Sequence, residues 1–489
     1  MTQTLETPAA AAADDVTPRR SRRRVPTLAL LVAGCFVLAA LSLLLPSVPT
    51  QDSWSWIVWG REVAHLDLDT SAGSSWKPLP VLFTTVWSLF GDAAPSLWIM
   101  TARAGGLLAV LFAFRLGKRL GGWPAGIAAA VFMVGADWFR FLGHGNVEPL
   151  SAGLVLGAID RHLDGHRHQA LVLMTLAALG RPELWAVLIL YAIYVMWQRE
   201  ARWPVAIALL LVVPVMWLGG DWWGSGDPFH GSDLAKGFRT RVIQHRQAAI
   251  KRDEQKNVKL DRSTGISLEH TYRGARVLLI LPAFVAALVA LAFAIYRRER
   301  ATLALAAGAF VLFWVIAIMG TLGYGGSPRF MFPAAGMVAV LGGVGVAELI
   351  RLGRRPWAMA LIAVVIVGVT LPFAIDRGRE FSARSHEVRL RADLQDQLDE
   401  AVSLAGGRSA VLALGRPRVN STFSHQLAWD LGLHQSQIGA VADRNIVFEG
   451  ASTKVNPSRG PRVPSHGVRV RQVASVGIWQ VLQVEKTGK

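Results

Sequence analysis

The sequence predicts a polytopic α-helical membrane protein with about eleven transmembrane helices and a small C-terminal extracytoplasmic α/β domain. Three observations support this fold class. Of the 489 residues, 52% are hydrophobic, and they are gathered into recurrent runs of the kind that cross a bilayer. Basic residues are concentrated in the short segments between those runs, as is typical of membrane proteins. After residue 375 the composition becomes polar and basic, and no further apolar run of that length follows.

The first predicted span covers residues 25–45, an almost unbroken apolar run. Five arginines lie just before it, at positions 19, 20, 22, 23 and 24, so we expect the N-terminus in the cytoplasm. No convincing small-residue cleavage site ends the run, and we interpret it as a retained anchor. Residues 1–24 are expected to form a disordered cytoplasmic tail, since most of them are Ala, Thr, Pro, Asp and Arg.

Ten further spans are predicted, at 95–114, 123–141, 148–160, 169–181, 184–197, 203–219, 275–296, 302–321, 331–349 and 357–375. With this count, every basic cluster between spans lies on the same side of the membrane as the N-terminus. The count requires 169–197 to be two short helices that meet at Arg181 and Pro182, because proline interrupts helical hydrogen bonding. A single crossing there would invert the orientation of everything downstream.

The outer side is predicted to carry the longer loops. Residues 46–94 contain two apolar segments, 53–64 and 78–90, which are too short to span and are expected to lie as interfacial helices along the outer leaflet. Six of the eighteen tryptophans fall between residues 54 and 98, a composition typical of the membrane interface. A tight turn at 142–147, a basic loop at 220–274 and a glycine-rich turn at 322–330 complete this side.

Residues 25–375 are therefore assigned to the membrane domain, and residues 376–489 to the extracytoplasmic α/β domain. In the second unit we predict an amphipathic helix at 386–404, a strand at 410–414 and a short helix near 423–432. Three more strands are predicted near 445–449, 468–474 and 478–485.

The charge and cysteine content exclude some classes of protein. The formal charge of +17 would suggest nucleic acid in a soluble chain, but here much of it lies in short loops between spans, where it orients helices. We therefore predict no nucleic-acid partner. Cys35 is the single cysteine and lies within the first span, which excludes a disulfide framework and a cysteine metal site.

Eight ionisable residues are predicted to lie at the outer ends of spans or in the outer loops. They are Asp52, Lys77, His144, Glu148, Arg181, Glu183, Asp221 and Arg329. Charged groups near membrane depth are costly, and they usually face a cavity or one another. The pattern predicts a polar site at the outer face.

Each of these residues also has a structural interpretation that the sequence leaves open. Asp52 could cap its helix, and His144 could be a solvated loop residue. Arg181 and Glu183 could form a local ion pair that stabilises the helix break.

Lys77 and Arg329 could anchor the chain at the membrane interface, since long cationic side chains reach the headgroups.

Five short motifs follow one another along the predicted outer face: QDSW at 51–54, WKPLP at 76–80, GNVEPL at 145–150, LGRPE at 179–183 and RFMFP at 329–333. Their order and placement resemble integral-membrane glycosyltransferases of the GT-C superfamily. The chain is most similar to the branch of actinobacterial terminal arabinofuranosyltransferases and their mannosyltransferase-like relatives. The resemblance covers residues 25–350. It departs at Ser53, where many relatives have a second acid, and at 144–147, where relatives have Ser-Gly before the glutamate.

The resemblance implies transfer of a pentose or hexose from a polyprenyl-phosphate donor to an envelope glycan or glycolipid acceptor at the outer face of the plasma membrane. Asp52 and Glu148 would be the catalytic acids, with Asp52 as the general base that takes the proton of the acceptor hydroxyl. The same two carboxylates are candidate ligands for a divalent cation (Mg²⁺, Mn²⁺ or Ca²⁺).

The resemblance also implies roles for the other residues. Arg329, Lys77 and Arg181 would bind the donor phosphate, whose negative charge grows as the sugar leaves. His144, Glu183 and Asp221 would line the cavity on the acceptor side. The implied partners are the lipid-linked donor, the acceptor and membrane lipids.

Three other functions remain open from the sequence. A transporter or flippase for a lipid-linked glycan would also have many spans with charges at membrane depth. The chain has no detectable internal repeat, and its polar residues gather at one face, which argues against alternating access. A non-catalytic envelope-assembly protein and a ligase or phosphotransferase that uses a diphosphate lipid are the remaining alternatives.

Overall fold

The computed structural model describes residues 27–136, 143–237, 278–322, 324, 328–453, 460–461, 463 and 466–487. The expectations for the tail at 1–24, for the basic residues of the outer loop beyond 237 and for the centre of the turn at 325–327 lie outside these residues.

Most helices of the membrane domain coincide with apolar runs, and many of them have a proline at the first or second helical position. In chain order the helices are α1 (Thr27–Leu41), α2 (Gln51–Ala64), α3 (Pro78–Ser88), α4 (Ala94–Gly121), α5 (Trp123–Val134), α6 (Glu148–Leu163), α7 (Arg167–Gly180), α8 (Trp185–Trp197), α9 (Trp203–Ser225), α10 (Leu281–Arg297), α11 (Arg300–Thr321), α12 (Phe332–Arg351), α13 (Pro356–Leu404), α14 (Gly407–Leu414) and α15 (Ser424–Asp430). The strands are β1 (Arg416–Arg418), β2 (Arg444–Gly450), β3 (Val468–Val476) and β4 (Trp479–Lys486).

Among the described residues, six helical segments are long and apolar enough to cross a membrane: Thr27–Leu44, Gly91–Gly121, Trp203–Ser225, Arg300–Thr321, Arg329–Arg351 and Pro356–Leu404. Three shorter apolar helices accompany them, at Trp123–Val134, Pro182–Trp197 and Leu281–Arg297. Each predicted span overlaps a helix, but the count of eleven crossings is not confirmed. The arrangement is that of a multi-pass membrane protein.

Helix α12 lies at the centre of the helical domain and is buried along almost its whole length. It packs against α4, α5, α6, α10 and α11. The close approach to α10 depends on Gly345, where a Cβ atom would overlap the carbonyl oxygen of Ala286. Small residues at such contacts let helix backbones approach closely, which favours association in a membrane.

The predicted break between the fifth and sixth spans is confirmed. Helix α7 ends at Gly180, Arg181 has an extended backbone (φ −146°, ψ 118°), and a 3₁₀ turn at Pro182–Leu184 leads into α8. Proline cannot supply the amide hydrogen that would continue α7, so the chain turns here. The break holds the Arg181 side chain inside the domain, where it is 1% exposed.

The C-terminal unit contains a four-stranded sheet of order β1-β2-β4-β3. Strand β1 is parallel to β2, while β4 is antiparallel to both β2 and β3. One face of the sheet packs on the last turns of α13, and the Trp479 indole donates a hydrogen bond to the Leu394 carbonyl oxygen at 3.1 Å. Helix α13 runs without interruption from the last apolar span into this unit.

One prediction for this unit is wrong. Residues 410–414 belong to helix α14 and do not form a strand. Gly406 and Gly407 both have positive φ and lie at the junction between α13 and α14, and Val411 of α14 is in the core. A five-residue apolar run fits a helix or a strand equally well, so packing decided between them.

The end of the helical domain opposite Glu148 is held by a second set of ion pairs. Arg115 lies 3.1 Å from Asp160, and Arg297 lies 2.8 Å from Glu348. Both arginines follow spans in the sequence, on the side that we assigned to the cytoplasm.

This arrangement gives a prediction about orientation. In a Cys35→Ala background, cysteines at Lys236 and Arg469 should react with a membrane-impermeant maleimide in intact cells. A cysteine at His166 should react only after permeabilisation. Protection of the cysteine at 469 in intact cells would place the C-terminal unit in the cytoplasm and contradict the orientation derived from the basic clusters.

Candidate active site

The N-terminal ends of several helices lie close together and bring together residues that are far apart in the sequence. Asp52 lies in the first turn of α2, and Glu148 is the first residue of α6. Arg329 lies in the 3₁₀ turn before α12, and Lys77 immediately precedes α3. A carboxylate in the first turn of a helix is stabilised by the partial positive charge of the unpaired amides there.

Arg329 joins the two carboxylates. Its Nη2 atom lies 2.8 Å from Asp52 Oδ2, and its Nε atom lies 3.3 Å from Glu148 Oε1. The side chains of Arg329 and Asp52 are 26% and 24% exposed, whereas Glu148 is 1% exposed. The guanidinium therefore links a buried acid to one that remains partly exposed.

Arg181 holds the buried side of the cluster. Its Nη1 atom donates to Glu148 Oε1 at 3.0 Å, and its Nε atom donates to Glu183 Oε1 at 2.7 Å. The guanidinium carbon lies 3.9 Å from the centroid of the Phe330 ring. Among the described residues, Glu148 Oε2 has no hydrogen-bond partner although it is buried. Burial of so many charges is tolerable only because they are paired.

Lys77 is the cation of the cluster that makes no ion pair with any described residue. Its side chain is 5% exposed, and its Nζ atom lies 4.7 Å from the centroid of the Trp56 ring. Burial lowers the pKa of its ammonium to about 8; the positive charges of Arg181 and Arg329 act in the same direction, and Asp52 opposes them. An unpaired ammonium held beside a carboxylate is available to an incoming anion.

Asp52 is kept ionised by its neighbours. Burial by itself would raise the pKa of the Asp52 carboxyl, but the charges of Arg329 and Lys77 lower it well below its ordinary value. A hydrogen bond from Ser74 Oγ to Asp52 Oδ1, 2.8 Å long, acts in the same direction. Asp52 therefore carries its negative charge at every physiological pH.

Two of the predicted residues lie outside this cluster. His144 Nδ1 donates a hydrogen bond to the Val48 carbonyl oxygen at 3.2 Å, and the His144 carbonyl oxygen accepts a hydrogen bond from Ser53. The turn therefore supports the start of α2. Asp221 accepts a hydrogen bond from the Gly231 amide at 3.1 Å, and no ion pair joins it to Asp52, Glu148 or Arg329 within the described residues.

The sequence analysis missed two residues at the site. Ser74 lies in a Ser/Gly stretch of the first outer loop, and no spacing marks it as a partner of Asp52. Tyr324 lies within the charge field of Arg181 and Arg329, and its ring packs 5.5 Å from that of Phe330. Its position among the glycines of the turn at 322–330 was the available signal.

The arrangement fits a divalent cation poorly. Asp52 and Glu148 both contact the Arg329 guanidinium, which lies where a bridging cation would have to bind. A hard cation needs about six oxygen ligands, and within the described part of the chain no group of three or more His, Cys, Asp or Glu side chains is placed to hold a metal ion. These side chains therefore do not fit a divalent-cation site.

No protein-family model matches the chain, and no curated protein matches it. Among solved structures, ArnT from Cupriavidus metallidurans bound to undecaprenyl phosphate aligns over 94% of this chain and 98% of its own, with a TM-score of 0.52 and 13% identity. The same protein in the apo state aligns over 94% and 97%, with a TM-score of 0.51 and 13% identity. The oligosaccharyltransferase of Archaeoglobus fulgidus aligns over 72% of this chain and 55% of its own, with a TM-score of 0.43 and 14% identity. The chain therefore shares its overall fold with ArnT, a membrane protein that binds undecaprenyl phosphate.

Proposed function

We propose that this protein is a membrane-embedded glycosyltransferase. It moves a pentose or hexose from a polyprenyl-phosphate donor to a hydroxyl of an envelope glycan or glycolipid on the outer face of the membrane. The observation that carries the proposal is the cluster of Asp52, Glu148, Arg329 and unpaired Lys77 at converging helix starts. The fold shared with ArnT and the undecaprenyl phosphate bound by ArnT support the choice of donor class.

The donor phosphate would bind between Lys77 and Arg329. Lys77 makes no ion pair with a described residue, and Arg329 is a quarter exposed, so both can turn toward an anion from the bilayer side. Arg181 is already paired with Glu148 and Glu183, and its charge would add to the positive potential at the phosphate. Fixed cations of this kind stabilise the charge that develops on a leaving phosphate.

The polyprenyl tail would leave the site along an apolar cleft next to Lys77. The cleft lies between α2, α3 and α9, has a volume of about 200 Å³, and is lined by Trp76, Pro78, Val81, Val215, Gly220 and Trp223 among others. Trp76 and Pro78, the two neighbours of Lys77 in the chain, both line this cleft. A phosphate bound at Lys77 and a tail bound in the cleft would then be parts of one ligand.

The reaction would break the bond between the anomeric carbon and the phosphate oxygen, and form a bond between that carbon and the acceptor oxygen. The acceptor proton would pass to the Asp52 carboxylate. The leaving polyprenyl phosphate would keep the electron pair, and Lys77 and Arg329 would stabilise its charge. The free Oε2 atom of Glu148 can accept a hydrogen bond from a sugar hydroxyl.

The pairing of Asp52 with Arg329 would make catalysis depend on donor binding. A carboxylate with a strongly lowered pKa is a weak base. A phosphate that draws Arg329 and Lys77 toward itself would weaken their interaction with Asp52 and raise its pKa. Asp52 would therefore become an effective base when the donor is in place.

The first prediction concerns the base. Asp52→Asn keeps the size and the hydrogen bond from Ser74 but removes the basic oxygen, so we expect transfer to fall by about 10²–10⁴-fold at unchanged protein abundance. The measurement is incorporation of radiolabelled sugar from polyprenyl-phosphate donors in membranes. Asp92→Asn, an exposed outer acid, is the control. Activity within a few-fold of wild type would remove Asp52 from the mechanism.

The second prediction concerns Arg329. Lysine keeps the charge but cannot contact Asp52 and Glu148 with separate nitrogens, so we expect Arg329→Lys to raise the donor KM by about 10-fold or more and Arg329→Ala to have a larger effect. Arg297→Lys changes another arginine–glutamate pair, 2.8 Å long, at the opposite end of the domain, and should leave the donor KM unchanged. Equal donor kinetics for wild type and Arg329→Lys would assign Arg329 to anchoring.

The third prediction concerns pH. Lys77 is charged below its pKa of about 8 and neutral above it, so its attraction for the phosphate is present at pH 7 and is lost as the pH rises. We expect the donor KM to increase above pH 8, by up to about tenfold per pH unit, because a phosphodiester donor does not itself titrate there. Lys77→Arg should have a flat profile over the same range. An identical rise in both proteins would show that another group is responsible.

A further inference from the structure

The C-terminal unit packs directly on α2, the helix that carries Asp52. The Gln51 side chain donates a hydrogen bond to the Ser421 carbonyl oxygen. One turn further along α2, Ser55 and Gln435 exchange two hydrogen bonds of 3.3 Å. Arg61 donates to the carbonyl oxygens of residues 429 and 433 at 3.0 and 2.7 Å. The unit is therefore in contact with the candidate active site at the position next to Asp52.

These contacts bring His425, in the first turn of α15, within the charge field of Asp52. The carboxylate is close enough to raise the pKa of His425, but burial has the larger effect and lowers it to about 4. The imidazole is half-buried and neutral at physiological pH.

The hydrogen bonds of Ser424 determine which nitrogen of His425 carries the proton. Ser424 Oγ donates to the Ser421 carbonyl oxygen at 3.0 Å, and the same Oγ lies 3.1 Å from His425 Nδ1. A serine hydroxyl has one hydrogen, so Nδ1 must be the donor in the second contact. The Nε2 atom of the neutral ring is then left with a lone pair that can accept a hydrogen bond.

The donor and the acceptor of the proposed reaction would approach Asp52 from different sides. The donor side of Asp52 is taken by Arg329 and Lys77, which belong to the helical domain. The opposite side, at Gln51, is covered by the loop that leads into α15. An acceptor hydroxyl that reaches Asp52 from outside the membrane would therefore pass His425.

We propose that His425 binds the acceptor of the transferase: its Nε2 atom accepts a hydrogen bond from one hydroxyl of a sugar acceptor while a neighbouring hydroxyl gives its proton to Asp52. This assignment rests on the function proposed above. It makes the C-terminal unit part of the acceptor site and selects acceptors that carry two hydroxyl groups within reach of each other. His425 binds and positions the acceptor, and the proton transfer stays with Asp52.

The test uses the full-length protein in nanodiscs, with undecaprenyl-phosphate esters of arabinose, mannose and glucose as donors and octyl glycosides of the same sugars as acceptors. We expect His425→Ala to raise the acceptor KM by about tenfold and to leave the donor KM within twofold. His425→Gln should recover most of the loss, because its side-chain amide reaches the position of Nε2. His466→Ala, at an exposed histidine of the same unit, should behave as wild type.

The outcomes separate the two proposals. An unchanged acceptor KM in His425→Ala, with an active wild type, would overturn the role of His425 alone. An equal loss of kcat in the Ala and Gln variants without a change in acceptor KM would assign His425 to structure and also overturn it. A wild type that transfers none of the three sugars to any of the acceptors would count against the proposed function, and the assignment of His425 would fall with it.

Discussion

The ion pairs of Arg329 constrain how the helix starts around the candidate active site are arranged. One guanidinium contacts Asp52 at the start of α2 and Glu148 at the start of α6, and it belongs to the turn that begins the buried helix α12. Glu148 in turn contacts Arg181 at the break between α7 and α8. Unpaired charges at this depth would be strongly destabilising, so the helix starts can adopt only arrangements that keep these pairs together.

The same constraint explains why the site is polar and yet preorganised. Helix starts leave amides unpaired, and such irregular backbone at membrane depth is tolerated where it lines a cavity within the protein. The acids at these starts are satisfied by arginines, while Lys77 stays unpaired among the described residues and one oxygen of Glu148 stays without a partner. Groups that are held near one another but not saturated keep charge and hydrogen-bonding capacity for a ligand.

The C-terminal unit is joined to the membrane domain by a continuous helix and also packs against α2. Helix α13 joins the two without a flexible linker, and α2 contributes side chains along one face to the contact. The His434 ring lies 2.9 Å from Glu62 in that contact, and burial raises the pKa of Glu62 to about 7. Helix α2 carries both Asp52 and the side chains that contact the C-terminal unit. A shift of the C-terminal unit would therefore also move the candidate base.

The sequence by itself determined the membrane class, the positions of the helices, the break at Arg181 and Pro182, and most strands of the C-terminal unit, because hydrophobic periodicity and proline act locally. It also predicted that Asp52, Glu148, Arg181 and Arg329 lie at the same side of the helical domain. Only the tertiary structure decided that these four form one connected set of ion pairs, that Asp221 lies apart, and that residues 410–414 are helical. Contacts between residues more than 250 positions apart, such as Arg329 with Asp52 or Gln51 with Ser421, depend on how helices pack, and no local pattern in the sequence encodes that packing.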